Sequence, residues 1–185
     1  IEAFKKYGLP KRFTMDNGAP WGCSSKDKVL TKLAVWFIKL GIFVGYSRPR
    51  HPQTQGKDER FHRSLKEEVL NIYTIKNIID AQNQFNQWRF IYNCERPHEA
   101  LNMGVPVERY CPSNREYTDI FKPIEYLQDD IVRKADANGQ ISYKSNVIRV
   151  GDALVGEYVA IRPTQIDGEF NIFFCQQKIK HFSLR

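Results

Sequence analysis

Asp16 closes the run Thr14-Met15-Asp16-Asn17-Gly18. Glu59 follows with 42 residues between them, in Lys57-Asp58-Glu59-Arg60-Phe61-His62-Arg63-Ser64-Leu65-Lys66. If the chain folds back to bring the two carboxylates together, they offer hard oxygen ligands of the kind Mg²⁺ or Mn²⁺ takes. Two such ions can activate the attacking and departing oxygens of a phosphodiester. The bases nearby suit the same substrate: Arg48, Arg50 and Lys57 precede Glu59, and His62, Arg63 and Lys66 follow it. Cations at this density neutralise a phosphate backbone. Each motif also has an ordinary reading. Asp-Asn-Gly is a common turn, and Lys-Asp-Glu-Arg a common solvated helix start.

The elements that would carry these side chains can be read locally. Residues 1–7 end a helix, with Gly8 as C-cap and Pro10 beyond it. A short strand over 11–15 places Asp16 at its C-terminal end, where open α/β sheets bind ligands. Leu30, Leu33, Ala34, Phe37 and Leu40 mark one face of a helix over 28–40, and Ile42–Tyr46 reads as a buried strand. Residues 48–57 form a Pro/Gly-rich basic loop of the kind that touches substrate. Phe61, Leu65 and Val69 form an apolar stripe on the next helix, while Glu59, His62, Arg63 and Lys66 share another side of it. A long helix over 75–93 carries Ile78, Ile79, Phe85, Trp88 and Tyr92 as its apolar markers.

Past residue 125 the pattern changes. Six β-rich runs are expected, at 131–135, 141–144, 147–150, 158–161, 170–174 and 178–182. Asn138-Gly139 and Asp167-Gly168 punctuate them. Short strands at this spacing describe a small barrel.

Composition narrows the partner. The net charge is +7, but residues 1–115 carry 19 Lys/Arg against 11 Asp/Glu, whereas residues 116–185 carry 9 against 10. Between residues 26 and 66 there are ten bases and three acids. A bias so localised points to a polyanion, nucleic acid above all. No apolar run approaches the roughly 18 residues that a membrane helix needs. Cys23, Cys94, Cys111 and Cys175 are scattered, which suits reduced, mostly buried thiols. Cys94 and His98, four apart, suit packing better than zinc.

Three blocks in series resemble the integrase-type DDE transposases: residues 14–18, Pro49 to Lys66, and Tyr92-Asn93-Cys94-Glu95-Arg96-Pro97-His98-Glu99-Ala100-Leu101. The likeness is nearest to IS481-like insertion-sequence enzymes, with IS3-like enzymes next. It covers about residues 1–112. A second likeness, to the small β-barrel that follows the core in such enzymes, rests on Arg133-Lys134, Asn138-Gly139 and Arg149-Val150-Gly151.

The resemblance implies an α/β fold: an RNase H-like integrase catalytic core followed by a small all-β SH3-like barrel. The core would occupy 1–112, a linker 113–124 and the barrel 125–185. It implies three metal-binding acids, with Asp16 the second and Glu59 the third. The first would lie on a strand before Ile1, so that the core is N-terminally truncated. The implied chemistry is metal-dependent cleavage at a transposon end by water, then attack of the freed 3′-hydroxyl on target DNA. Mg²⁺ or Mn²⁺ is the implied cofactor. DNA contacts would come from Arg48, Arg50, Lys57, His62, Arg63 and Lys66. The full enzyme would be a homo-oligomer, with no membrane association, at the bacterial nucleoid in the cytoplasm. With two acids, the chain is expected to bind DNA without cutting or joining it. The alternative is a degenerate remnant serving only as a DNA-binding or protein-interaction module.

Overall fold

Two short strands that pair with each other flank an amphipathic helix near the start of the chain. The computed structural model describes residues 1–22, 30–47 and 56–184. It divides into two compact units, Ile1–Pro49 with Ser113–Arg185, and Arg50–Pro112. Cys23 and residues 48–55, with Arg48 and Arg50 among them, lie outside the described residues.

In the first unit, α1 (Glu2–Tyr7) is closed by Gly8, whose N–H donates to the Phe4 carbonyl at 2.8 Å with φ at 74°. Strands β1 (Arg12–Met15) and β2 (Phe43–Tyr46) pair in parallel, joined through α2 (Lys32–Lys39). The helix begins at Lys32 rather than at the expected residue 28, because the Thr31 hydroxyl caps it by accepting the Ala34 N–H at 3.1 Å. Its apolar face is packed as the periodicity predicts: Leu30, Ala34, Phe37 and Leu40 are buried. Phe4, Phe13, Trp36, Phe37 and Tyr117 gather into one aromatic cluster beneath the sheet.

All six expected C-terminal strands form. β3 (Ile131–Lys134), β6 (Tyr158–Pro163), β7 (Glu169–Phe174) and β8 (Gln177–Ser183) make an antiparallel sheet in the order β3-β6-β7-β8. β4 (Gln140–Tyr143) and β5 (Asn146–Arg149) make a separate hairpin. Among the described residues no hydrogen-bonded ladder closes these sheets into the expected barrel. Side chains join them instead: Tyr143 of the hairpin meets Phe170 edge-on at 5.1 Å, around a core that includes Ile141, Ile148, Val159, Ile172 and Phe174.

The C-terminal strands are anchored on the N-terminal layer. In β2 the Phe43 N–H donates to Lys11, and the Ser47 N–H just after the strand donates to Met15. Val44, between them in the alternation, therefore turns its peptide groups to the outer edge. Gln177 meets both: its Oε1 accepts the Val44 N–H at 2.9 Å, and its Nε2 donates to the Val44 carbonyl at 2.8 Å. Lys39 pairs with Glu157 at 2.5 Å. The Arg115 guanidinium donates to the carbonyls of Pro10, Leu40 and Gly41, all between 2.7 and 3.0 Å.

In the second unit, α3 (Gly56–Leu65) runs on into a π-helical turn, Lys66–Leu70, and α4 (Ile78–Phe90) into another, Ile91–Glu95. α4 starts three residues later than expected because Asn77 caps it, accepting the N–H groups of Ile79 and Asp80. Ile78 and Ile79 are 82% and 71% exposed, so they are not markers of the packed face. That face is Ala81, Phe85, Trp88 and, a turn further on, Tyr92, at helical spacing. No helix among the described residues is long and apolar enough to cross a membrane.

Candidate active site

Asp16 follows the last residue of β1, at the C-terminal edge of the parallel pair. Its Oδ1 accepts the Gly18 N–H at 3.2 Å, which forms the expected Asx turn. Asn17 ties this turn to the other strand, its Nδ2 donating to the Ser47 carbonyl at 3.0 Å. The chain then folds tightly back, with the Trp21 and Gly22 N–H groups both directed at the Gly18 carbonyl. Gly22 is obligatory in that return: a Cβ there would lie 2.8 Å from the Asn17 Cα. The Asp16 carboxylate stays exposed and keeps one oxygen clear of the turn.

Glu59 lies in the first turn of α3, where the helix dipole favours a negative charge. Glu59, His62, Arg63 and Lys66 fall at i, i+3, i+4 and i+7, and all are exposed, as is Lys57. Phe61 points the other way, edge-on to Trp88 at 5.2 Å and to Tyr92 at 5.3 Å. The expected division of α3 into an apolar side and a charged side is therefore present. Leu65 is half-buried and Val69 fully buried.

Asp16 belongs to the first unit and Glu59 to the second. Among the described residues, no group of three His, Cys, Asp or Glu side chains gathers as a metal centre. His98 directs Nε2 at the Tyr92 carbonyl, 3.2 Å away, and sets its ring edge-on to Tyr92. Cys94 and Cys175 are half-buried, but Cys111 is exposed, which corrects the expectation of mostly buried thiols.

One polar node in this region escaped the sequence reading. Glu68 receives the Trp88 indole N–H on Oε2 at 2.7 Å and Arg96 on Oε1 at 2.6 Å. Burial alone would push the Glu68 carboxyl up. The Trp88 and Arg96 hydrogen bonds, with the Arg96 charge, outweigh it and hold the group below the ordinary glutamate value. Arg96 also lies over the Tyr92 ring. No periodicity links positions 68, 88 and 96; the Glu95-Arg96-Pro97-His98 run by itself signalled only a helix end.

Residues 40–106 match the family model described as Integrase core domain. Residues 130–185 match IS481 family transposase, C-terminal domain. The two matches together span about two thirds of the chain and stand in this order along it.

The chain is similar to integrase cores in its middle and to IS481 transposases in its C-terminal part.

Among curated relatives, the chain is 39% identical over 57 residues to a protein named "Putative integrase ORF3" from Spiroplasma virus SpV1-C74. That alignment covers 31% of the chain and 16% of the viral protein. It is 27% identical over 101 residues to "Insertion element IS407 uncharacterized 31.7 kDa protein" from Burkholderia multivorans, covering 55% of the chain and 34% of that protein. The chain thus spans about a third or less of the length of these relatives. The integrase-core match takes in Glu59 and the bases around it, while Asp16 lies before it.

Proposed function

We propose that this chain is the DNA-handling part of a DDE transposase, a metal-dependent polynucleotidyl transferase that cuts a transposon end and joins it to target DNA. The exposed, ordered face of α3 carries the reading: a first-turn carboxylate followed along the same side by His62, Arg63 and Lys66. Asp16 and Glu59 are the acids proposed to hold Mg²⁺ or Mn²⁺. Both fit the task as hard oxygen donors, exposed at the ends of regular elements. When bound, the metal would stabilise charge on the attacking and leaving oxygens.

The chain's own part is to bind and orient. Arg63 and Lys66 hold the strand by its phosphates, Lys57, Arg48 and Arg50 extend the cationic path, and His62 reaches the scissile phosphate. In this reading residues 1–112 are catalytic core of RNase H-like type and residues 113–124 a connection. Residues 125–185 form an SH3-like unit whose two sheets share one core. The full protein works as a homo-oligomer on nucleoid DNA in the cytoplasm.

Two assays test the proposal. Chain 1–185 should bind duplex DNA without sequence preference. If about 4–6 phosphates are engaged, log affinity should fall against log salt with a slope of about −4 to −5. It should not join strands alone. In the natural full-length protein, strand transfer should require Mg²⁺ or Mn²⁺ and should be abolished by Glu59→Gln and by Asp16→Asn. Full activity in both variants would remove the acids from the chemistry. It would leave the second reading, a module that binds DNA without catalysis, which the basic segment 26–66 favours.

A further inference from the structure

α3 carries its proposed DNA-binding face on a helix with little buried surface of its own: none of its ten residues is fully buried. Something else must fix how it is rolled. Phe61 is one point of attachment, wedged edge-on to Trp88 and Tyr92. An apolar wedge is non-directional and resists sliding better than rotation. The second point lies seven residues on, about 10 Å along a helix axis. There both Glu68 oxygens are taken, one by the buried Trp88 indole N–H and one by Arg96. These bonds are directional and charge-assisted.

The backbone is built around this node. Glu68 sits inside the π-helical turn Lys66–Leu70, and Arg96 follows directly on the π-helical turn Ile91–Glu95. Such turns are rare and cluster at functional sites. Phe61 and Glu68, seven residues and so about two helical turns apart, both reach α4 or its continuation, while Glu59, His62 and Arg63 stay exposed. Arg96 is held in turn: its N–H donates to the Ile91 carbonyl at 2.8 Å, its guanidinium lies over Tyr92, and Pro97 ends the helix beyond it.

We propose that Glu68, Trp88 and Arg96 form a positioning node that sets the roll of α3 and so aims Arg63, Lys66 and Glu59 at the DNA backbone. The inference rests on the reading of α3 as the DNA-facing helix. Glu68 is a positioning residue, not a contact, and the charge makes this testable by sign. If Glu68 were merely a carboxylate near a basic face, removing its charge would strengthen DNA binding by relieving repulsion. If it positions the face, removing it weakens binding.

The measurement is fluorescence anisotropy of a labelled duplex with chain 1–185, titrated with KCl, for wild type, Glu68→Gln and Trp88→Phe. Trp88→Phe removes the indole donor and keeps an aromatic packing group. Each variant's Tm is recorded alongside. The expected result is at least three-fold weaker binding in both variants at moderate salt, a salt slope shallower by about one unit, and a Tm within a few degrees of wild type. Arg96→Lys, which keeps charge but not the planar grip, should fall between wild type and Glu68→Gln. Unchanged or tighter binding by Glu68→Gln would overturn the inference while leaving the proposed function standing. Unfolding of both variants would make the node a stabilising one only, and would also overturn it. Wild-type protein that binds no DNA would overturn both readings.

Discussion

Gln177 offers a sharp perturbation because one side chain satisfies two backbone groups of a strand edge. It is 9% exposed, Val44 is 2% exposed, and the bonds between them are 2.9 and 2.8 Å. Replacing Gln177 with Leu keeps most of the volume and strands the Val44 N–H and carbonyl. Each group left without a partner costs about 1–3 kcal/mol, with water entry lowering the sum. The expected loss is about 3 kcal/mol, or roughly 6–12 °C in Tm for a chain of this size. Gln177→Ala should lose somewhat more, because a cavity adds to it.

Gln177→Glu is the informative control. Its carboxylate can accept the Val44 N–H but presents only lone pairs to the carbonyl, so at pH 7 it should destabilise at least as much as Leu. Protonated, the same group has a donor for the carbonyl and regains the pairing. Its folded pKa is therefore raised: the contribution is present at low pH and lost as pH rises. The gap to wild type should narrow as pH falls toward 5. Urea unfolding of the variants at pH 5 and 7.5 measures this. A Gln177→Leu change within 0.5 kcal/mol of wild type, or a Gln177→Glu gap unaffected by pH, would refute the argument that this glutamine closes the β2 edge.

Two further outcomes concern pH. Arg162 grips Asp130 with two bonds of 2.6 and 2.7 Å and holds its carboxyl below the ordinary aspartate value, as Trp88 and Arg96 do for Glu68. A depressed folded pKa gives stability that is present above the ordinary carboxylate range and lost as pH falls through the folded value. Unfolding midpoints should therefore drop below about pH 4, and Asp130→Asn should flatten that limb. At the alkaline end, burial pushes the Tyr126 phenol up to about 12 and the Cys175 thiol up to about 11. Both contributions are complete below the unfolded values of about 10 and 9, and vanish as pH climbs through the folded ones. Stability should decline from about pH 9 to 12, Tyr126→Phe should blunt the upper part, and at pH 8 iodoacetamide should label exposed Cys111 well before Cys175. Equal labelling rates would contradict the burial of Cys175.

Local patterns in the chain determined a good deal. Alternation and turn residues placed all six C-terminal strands, because a strand's two-residue period and an Asx-Gly turn are properties of neighbours. Gly8 ended α1 and Asp16-Asn17-Gly18 turned the chain for the same reason. The spacing of Glu59, His62, Arg63 and Lys66 put them on one side of α3 as any helix would. The three motif blocks carried the family, and the integrase-core and transposase matches agree with them. What needed the tertiary structure was each choice settled by a distant partner. Ile78 and Ile79 read as apolar markers, but the Asn77 cap starts α4 where they face outward. The β-rich segment reads as a barrel, but side chains rather than a continuous ladder join its two sheets. Glu68 with Arg96, and Gln177 with Val44, lie 28 and 133 residues apart. No local period encodes such a pair: a buried polar group is stable only beside its complement, and folding alone decides which complement it meets.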